Sequence, residues 1–387
     1  MGEASTSRDR RLTEVDPART EREPTPWDRE VYRRLISTEL DEEQVERVLE
    51  PPRIYPSQRE VLAVHWHPEY VPMELILQRY DKTFPNRTLD LVIPTQHNVF
   101  LTLDGCAGAE VDCHAREFNT KVQLLLHFSA DKLREADALK GMVAHTFKYR
   151  SSQLYDFIGT IVDPKLMPLF REAAARGAAD DRLLEFVRIQ TRKFRELLET
   201  YREITPTEAI KNKLLTGYFD ELRAVYVDNI IDRAQLVLRN VKKLVKRNFS
   251  LDYFFEVREI IEETRALGGC IVAPHPEQFW PILLADYDLD GYEVWNPQSH
   301  RYTTFLVDVV NRLNRGRSRS ERQLLVFMGD DTHLSTKVRD PRFVRPEKLG
   351  REVGVQPGWD DLEIRKSLSV GNFDRRRVIE EYTARLI

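Results

Sequence analysis

The chain has 387 residues, 41% of them hydrophobic and 32% charged, so it is long enough for one large domain or two medium ones with a core that needs no staples. Its 59 Lys and Arg against 63 Asp and Glu give a formal net charge of −4, which removes the bulk electrostatic case for a dedicated nucleic-acid or anionic-membrane binder. Three cysteines, Cys106, Cys113 and Cys270, without CxxC spacing, argue against a disulfide framework or a four-cysteine zinc site and fit a reducing, cytoplasmic setting. No apolar run approaches the roughly 20 residues of a membrane-spanning helix, and the polar start does not read as an export signal.

Residues 1–26 are rich in Arg, Glu, Ser, Thr and Pro and carry few large apolar groups, which predicts a disordered tail. Over residues 27–55, Val31, Leu35, Leu40, Val45 and Val48 recur at helical spacing until Pro51-Pro52 ends the pattern, a helical lead-in. Short apolar runs then read as buried strands: Val61–Val64, Leu89–Ile93, Ala109–Val111 and Val122–Phe128, followed after a long gap by Cys270–Ala273, Tyr292–Trp295 and Leu324–Met328. Several are separated by helix-length stretches, so residues 56–129 and 266–345 are expected to be two parts of one α/β domain with a largely parallel sheet or barrel.

Residues 130–265 read as a helical insertion. Val227, Ile230, Ala234, Val237, Val241 and Leu244 form one amphipathic stripe, and Leu183, Val187, Phe194, Leu198 and Tyr201 another, which predicts helices that pack on one another or, alternatively, offer a groove to a protein partner. Residues 346–387 are expected to be a C-terminal helical segment.

Of nine histidines, only His145 falls in the insertion. Val64-His65-Trp66-His67 sets two imidazoles two residues apart; Thr95-Gln96-His97 follows the second strand, and Gly108-Ala109-Glu110 lies in the third. His275 sits between Pro274 and Pro276 at the end of a strand, and Gly329-Asp330-Asp331-Thr332-His333 follows the last one. In parallel α/β architectures strand ends feed one crevice, where chemistry collects. Five histidines, a glutamate and an aspartate exceed the three or four protein ligands of one catalytic zinc and suit a cluster of two or three divalent ions, with Mn, Fe or Zn fitting the mixed ligands.

In order and spacing these motifs resemble the PHP (polymerase and histidinol phosphatase) superfamily, matched here by Ala63-x-His65-x-His67, Thr95-Gln96-His97, Gly108-x-Glu110, His275, Gly291-x-Glu293-x-x-Asn296 and Gly329-x-Asp331-x-His333. The resemblance implies a distorted (β/α)7 barrel carrying the large helical insertion. It also implies a metal-dependent phosphoesterase with His65, His67, His97, Glu110, His275, Asp331 and His333 as ligands. Ala63 and Gln96 stand where the family has aspartates. A further ligand after HxH would be Glu69 or Glu74, and the family's next histidine aligns with Gln123, so His127 would replace it only with a shift of register.

The expected activity is hydrolysis of a small phosphorylated substrate or a nucleic-acid end by a metal-activated water. His300 is the candidate proton donor, and Arg301, Lys148 or Arg150 the candidate phosphate contacts. Two other readings stand beside it. One is a PHP-like module that docks a protein through the insertion, favoured by Ala63 and Gln96; the other is a nuclease drawing on Arg239, Lys242, Lys243, Lys246 and Arg247.

Overall fold

The computed structural model describes residues 11–175, 179–318, 321–341 and 344–387. They fall into two compact units in which the chain enters the first, builds much of the second, returns to the first and ends in the second.

The helical unit comprises the described residues up to Ser37 together with Lys148–Ser250. Its longest helix, Asp228–Asn248, buries Ile230, Ile231, Ala234, Val237, Leu238, Val241, Leu244 and Val245, the three-and-four spacing that turns one stripe inward. Helices Pro26–Ile36, Tyr149–Val162 and Asp181–Thr200 pack on the same core around Tyr32, Phe157, Phe186, Phe194, Tyr218 and Phe219. Thr25 caps the first of these in a reciprocal box with Asp28. The Asp28 carboxylate also takes Lys193 Nζ at 2.6 Å and Tyr218 Oη at 2.5 Å, so a buried charge is met by donors on two other helices.

The tail expected over residues 1–26 differs from Arg11 onward. Leu12 exchanges backbone hydrogen bonds with Val225 and Val227 at 2.8 and 3.0 Å, and Arg11 pairs with Asp228. The expected lead-in is two separately capped helices, Pro26–Ile36 and Glu42–Leu49, which fall in different units. Residues 130–147 and 251–265, read as part of the insertion, group with the strands instead.

The mixed unit comprises Thr38–Phe147 and Leu251–Ile387. Its strands are β1 (Glu60–Ala63), β2 (Trp66–His67), β3 (Leu89–Val92), β4 (Gln96–His97), β5 (Leu101–Leu103), β6 (Cys106–Ala115), β7 (Thr120–Ser129), β8 (Cys270–Ala273), β9 (Gly291–Trp295), β10 (Leu325–Met328) and β11 (Thr332–His333). Seven of them form one sheet in the order β10-β9-β8-β7-β6-β4 with β5 on β6; β1 pairs with β3 and β2 with β11.

The expected largely parallel arrangement holds only in part. β6 is antiparallel to β5 and β7, and β7 is antiparallel to β8. The described ladders form three sheets rather than one closed barrel. The reversal between β6 and β7 is made by a single 3₁₀ turn, Arg116–Phe118, closed by Asn119 at φ 47°. Asparagine tolerates that left-handed conformation better than most residues, so a hairpin forms without glycine.

His127, on β7, lies in the core and not among the candidate ligands. It is fully buried, with Nδ1 at 2.7 Å from Tyr382 Oη and Nε2 at 3.1 Å from the Val64 carbonyl. Both ring nitrogens are engaged, which corrects the expectation that a shifted register would make it a ligand. Burial holds its pKa down to about 3, so the folded protein keeps it neutral while the unfolded chain protonates near pH 6.5. The stability this histidine contributes is present above that pH and is lost as the pH falls toward 3. Denaturant titrations should therefore show wild type losing about 2 kcal/mol from this group between pH 7.5 and 5. A His127→Leu variant should lack that increment while retaining its metal content.

Candidate metal centre

The chain brings its candidate ligands together through two-residue ladders. β2 lies parallel to β11 with His67 opposite His333, and β4 lies parallel to β6 with His97 opposite Glu110. His65 is placed one residue before β2, and its carbonyl accepts the Asp331 N–H at 3.0 Å. His275 follows β8 between two prolines and has φ 29°, and Asp331 has φ 47°. Glu69 and Asn98, each beside a candidate ligand, are also left-handed, at φ 53° and 54°. Such conformations cost of order 1–3 kcal/mol each and persist where surrounding contacts dictate them, often at functional sites.

Three groups have one potential ligand atom per residue, all within 4.8 Å of one another: His67, His97 and His333; His65, Glu110 and His275; and His65, His67 and Asp331. Glu110 stands between the first two. Its Oε1 is 3.4 Å from His275 Nε2 and 3.8 Å from His65 Nε2, while Oε2 is 3.7 Å from His67 Nε2 and touches His97 Nδ1. Asp331 Oδ1 lies 3.4, 3.5 and 3.9 Å from Nε2 of His333, His67 and His65. The ring of His67 stacks against those of both His97 and His333, with centroids 4.3 and 4.4 Å away, and those two rings lie 5.6 Å apart.

The donor set fits divalent ions. His65 Nε2, both nitrogens of His67 and Oε1 of Glu110 are buried without a hydrogen-bond partner, although a buried polar atom left unpaired costs about 1–3 kcal/mol and more when charged. Atoms that converge on one another without donating or accepting are arranged for a cation to lie between them. Glu110 and Asp331 are both held well below the usual carboxylate range: burial opposes ionisation, but His97, His275 and His67 around the first, and His333, His67 and His65 around the second, overcome it. His67 is driven down to about 3 by burial and by His97 and His333, so it stays neutral.

Glu293, on β9, completes the site behind His65. Its Oε2 is 2.5 Å from His65 Nδ1, and its Oε1 accepts from Asn296 Nδ2 at 3.0 Å and the His275 N–H at 3.3 Å. A carboxylate there keeps the proton on Nδ1 and leaves Nε2 to a metal. Burial disfavours charge on His65, yet Glu293, with Glu110 and Asp331, raises its pKa to about 10. Gly329 makes room for this contact, since a Cβ at that position would strike the Glu293 carboxylate.

Other expected residues fall elsewhere. Glu74 is exposed in the first turn of helix Met73–Thr83 and joins none of the three groups, whereas Glu69 Oε1 is 3.5 Å from His333 Nδ1. His300 is exposed in the turn His300–Tyr302, and Arg301, also exposed, stacks over the Tyr302 ring at 4.7 Å; neither belongs to a ligand group. Gln123 pairs with Asp112, two residues along β6 from Glu110, while the residue opposite Glu110 is Leu125. Ala63 is buried in β1, and the Gln96 side-chain oxygen is buried without a partner. Arg351 and Gln298, which no motif indicated, donate to Asp331 Oδ2 at 2.8 and 2.9 Å.

No family model and no curated protein matches the chain. A solved structure from Bifidobacterium adolescentis ATCC 15703, described as a "putative metal-dependent phosphoesterase", aligns at a TM-score of 0.40 and 15% identity, covering 81% of this chain and 97% of that one. At that distance the likeness transfers neither fold nor chemistry.

Because His65 is protonated at neutral pH in the ion-free protein, an incoming metal must displace the Nε2 proton. Calorimetric titration at pH 7 in buffers of different ionisation enthalpy should show proton release, with affinity falling as pH drops. Glu293→Gln should weaken metal binding about 10–100-fold, whereas His300→Ala and Arg301→Ala should leave it unchanged.

Proposed function

We propose that this chain is a metal-dependent phosphoesterase of the PHP type that hydrolyses a small phosphorylated substrate. The observation that carries the reading is the convergence of His65, His67, His97, Glu110, His275, Asp331 and His333 into overlapping ligand groups around a buried carboxylate. The strand ladders add support for the barrel. β1 continues through Val64 and His65 into β2, β3 through Ile93–Thr95 into β4, and β10 through Gly329–Asp331 into β11. With each pair counted as one interrupted strand, the pairings run from β1/β2 to β3/β4, β6, β7, β8, β9, β10/β11 and back to β2, the closed order that a seven-stranded barrel requires.

Two ions suit these residues better than three. His65 has only Nε2 to offer, since Nδ1 faces Glu293, so it cannot serve both groups that contain it. The disjoint sets are His65 with His275 and His67 with His97 and His333. Glu110 presents one oxygen to each, and Asp331 Oδ1 lies on the second.

Bound divalent ions would supply Lewis acidity and a water of lowered pKa. The protein's part is to hold and orient. Glu293 fixes the tautomer of His65, and the prolines beside His275 fix its backbone. His97 and His333 have side chains 24% and 23% exposed, whereas His65 and His67 have 1% and 0%. A phosphate ester would therefore approach from the His97 and His333 side.

The neutral residues Ala63 and Gln96, at positions where the family carries aspartates, favour one other reading, a catalytically weak PHP-like module that docks a partner through its helical unit. Elemental analysis with phosphate release from a panel of phosphomonoesters separates the two. The enzyme should contain about two divalent ions per chain. Glu110→Gln and Asp331→Asn should each reduce turnover at least about 100-fold while lowering metal content, and chelation should abolish turnover until the metal is restored. Turnover that survives both substitutions and the chelator would defeat the phosphoesterase.

A further inference from the structure

We propose that Arg351 and Gln298 are positioning residues that make Asp331 a one-oxygen metal ligand, an inference that rests on the metal-dependent reading above. The two carboxylate oxygens of Asp331 are divided. Oδ1 faces Nε2 of His333, His67 and His65, while Oδ2 accepts from Arg351 Nη1 at 2.8 Å and Gln298 Nε2 at 2.9 Å. With Oδ2 saturated by two donors, one a guanidinium, the carboxylate cannot swing to chelate one ion through both oxygens. Arg351 Nη1 also donates to the Asp331 carbonyl at 2.9 Å. It therefore holds backbone and side chain of the same left-handed residue together.

Arg351 is itself held in place. It is 8% exposed, and its carbonyl accepts from the buried Lys337 Nζ at 2.5 Å. The next residue, Glu352, is gripped by Arg79 through Nε and Nη2 at 2.7 and 2.6 Å and by Lys337 at 2.6 Å. Gly354 N–H donates to Asp330 at 2.9 Å, and Gln356 Nε2 to the Leu62 carbonyl at 2.6 Å. This buried lattice anchors the segment to β1 and to the turn that carries Asp331, which is more than a surface arginine needs for one ion pair.

Gln298 is tied to the opposite flank of the site. Its backbone N–H donates to Asn296 Oδ1 at 3.0 Å, and the amide of Asn296 donates to Glu293. The turn after β9 thus orients His65 through Glu293 and Asp331 through Gln298. Both contacts from Arg351 come from Nη1, and the guanidinium plane fixes the direction of that nitrogen's two N–H bonds more firmly than a flexible ammonium would.

The test measures metal affinity of the full-length protein by competition with a chromogenic chelator, using Mn²⁺ and Zn²⁺ separately, so it does not depend on a substrate being known. Arg351→Ala should raise the dissociation constant about 10–100-fold, as for other groups that orient a ligand. Gln298→Ala should raise it less, and Arg351→Lys should recover part of the loss. In phosphate release, kcat should fall with KM unchanged, since neither residue touches the ester. If Arg351→Ala does not fold, Arg351→Lys and Gln298→Ala carry the comparison. Affinities within about twofold of wild type in folded variants would overturn the proposal, given the usual size of such effects. An unchanged affinity with raised KM and weaker inhibition by inorganic phosphate would also overturn it, making Arg351 a substrate contact. A wild type that takes up no ion would instead sink the metal reading itself, before any variant is compared.

Discussion

A buried carboxylate met by imidazoles from distant segments is the constraint around which the mixed unit is organised. Glu110 is 1% exposed, and its Oε2 touches His97 Nδ1. An isolated anion in that position would take up a proton or unfold the site. Here it stays ionised because four imidazoles, from His65, His67, His97 and His275, surround it. Those rings come from segments far apart in sequence, so the charge is compensated only in the folded state. The two-residue ladders at β2–β11 and β4–β6 serve that compensation: they are too short to add much stability as sheet, yet they set His67 beside His333 and His97 beside Glu110.

Much of this was legible in the sequence because two kinds of signal coincide. Apolar runs marked most of the longer strands, and the histidines fell just past or beside them. The seven residues named from strand-end position and motif order lie in three close groups. The failures have physical causes. His127 looked available because a strand histidine near Glu110 is a plausible ligand. Its partners, the Tyr382 hydroxyl and the Val64 carbonyl, lie 255 and 63 residues away, beyond any local pattern. Glu74 was offered for its distance from HxH, but it starts a helix and turns to solvent, while Glu69, five residues earlier, is carried back to His333 by a left-handed backbone. His300 and Arg301 are polar residues near the motifs, but both are exposed, which no local sequence pattern indicates.

The antiparallel hairpin of β6 and β7 was missed for a related reason. Reversal at Asn119 uses neither glycine nor proline, so the turn carries no strong punctuation. The helical stripes at Asp228–Asn248 and Asp181–Thr200 were read correctly because a 3.6-residue period sustained over about five turns has few alternatives. Boundaries between the two units were less legible. Helices Ala130–Arg134, Asp137–Phe147 and Val257–Ala266 are read as helical in the same way as those of the helical unit, and which core they join depends on partners that periodicity does not name.

Charge accounting limits how much cation charge the candidate site can meet. Glu69, Glu110, Glu293 and Asp331 are the carboxylates in contact with the candidate histidines, and Arg351 offsets one of them. Asp112 is already paired with Lys121, and burial raises the pKa of Asp330 to about 7. With neutral imidazoles as ligands, about three negative charges remain to face bound cations. Two divalent ions would leave a net charge of about +1, which favours an anionic ligand. A third would raise that excess to about +3, and Ala63 and Gln96, two residues before His65 and one before His97, bring no charge to offset it. On this balance the residues present would meet two divalent ions more nearly than three, in keeping with the two-ion site proposed above.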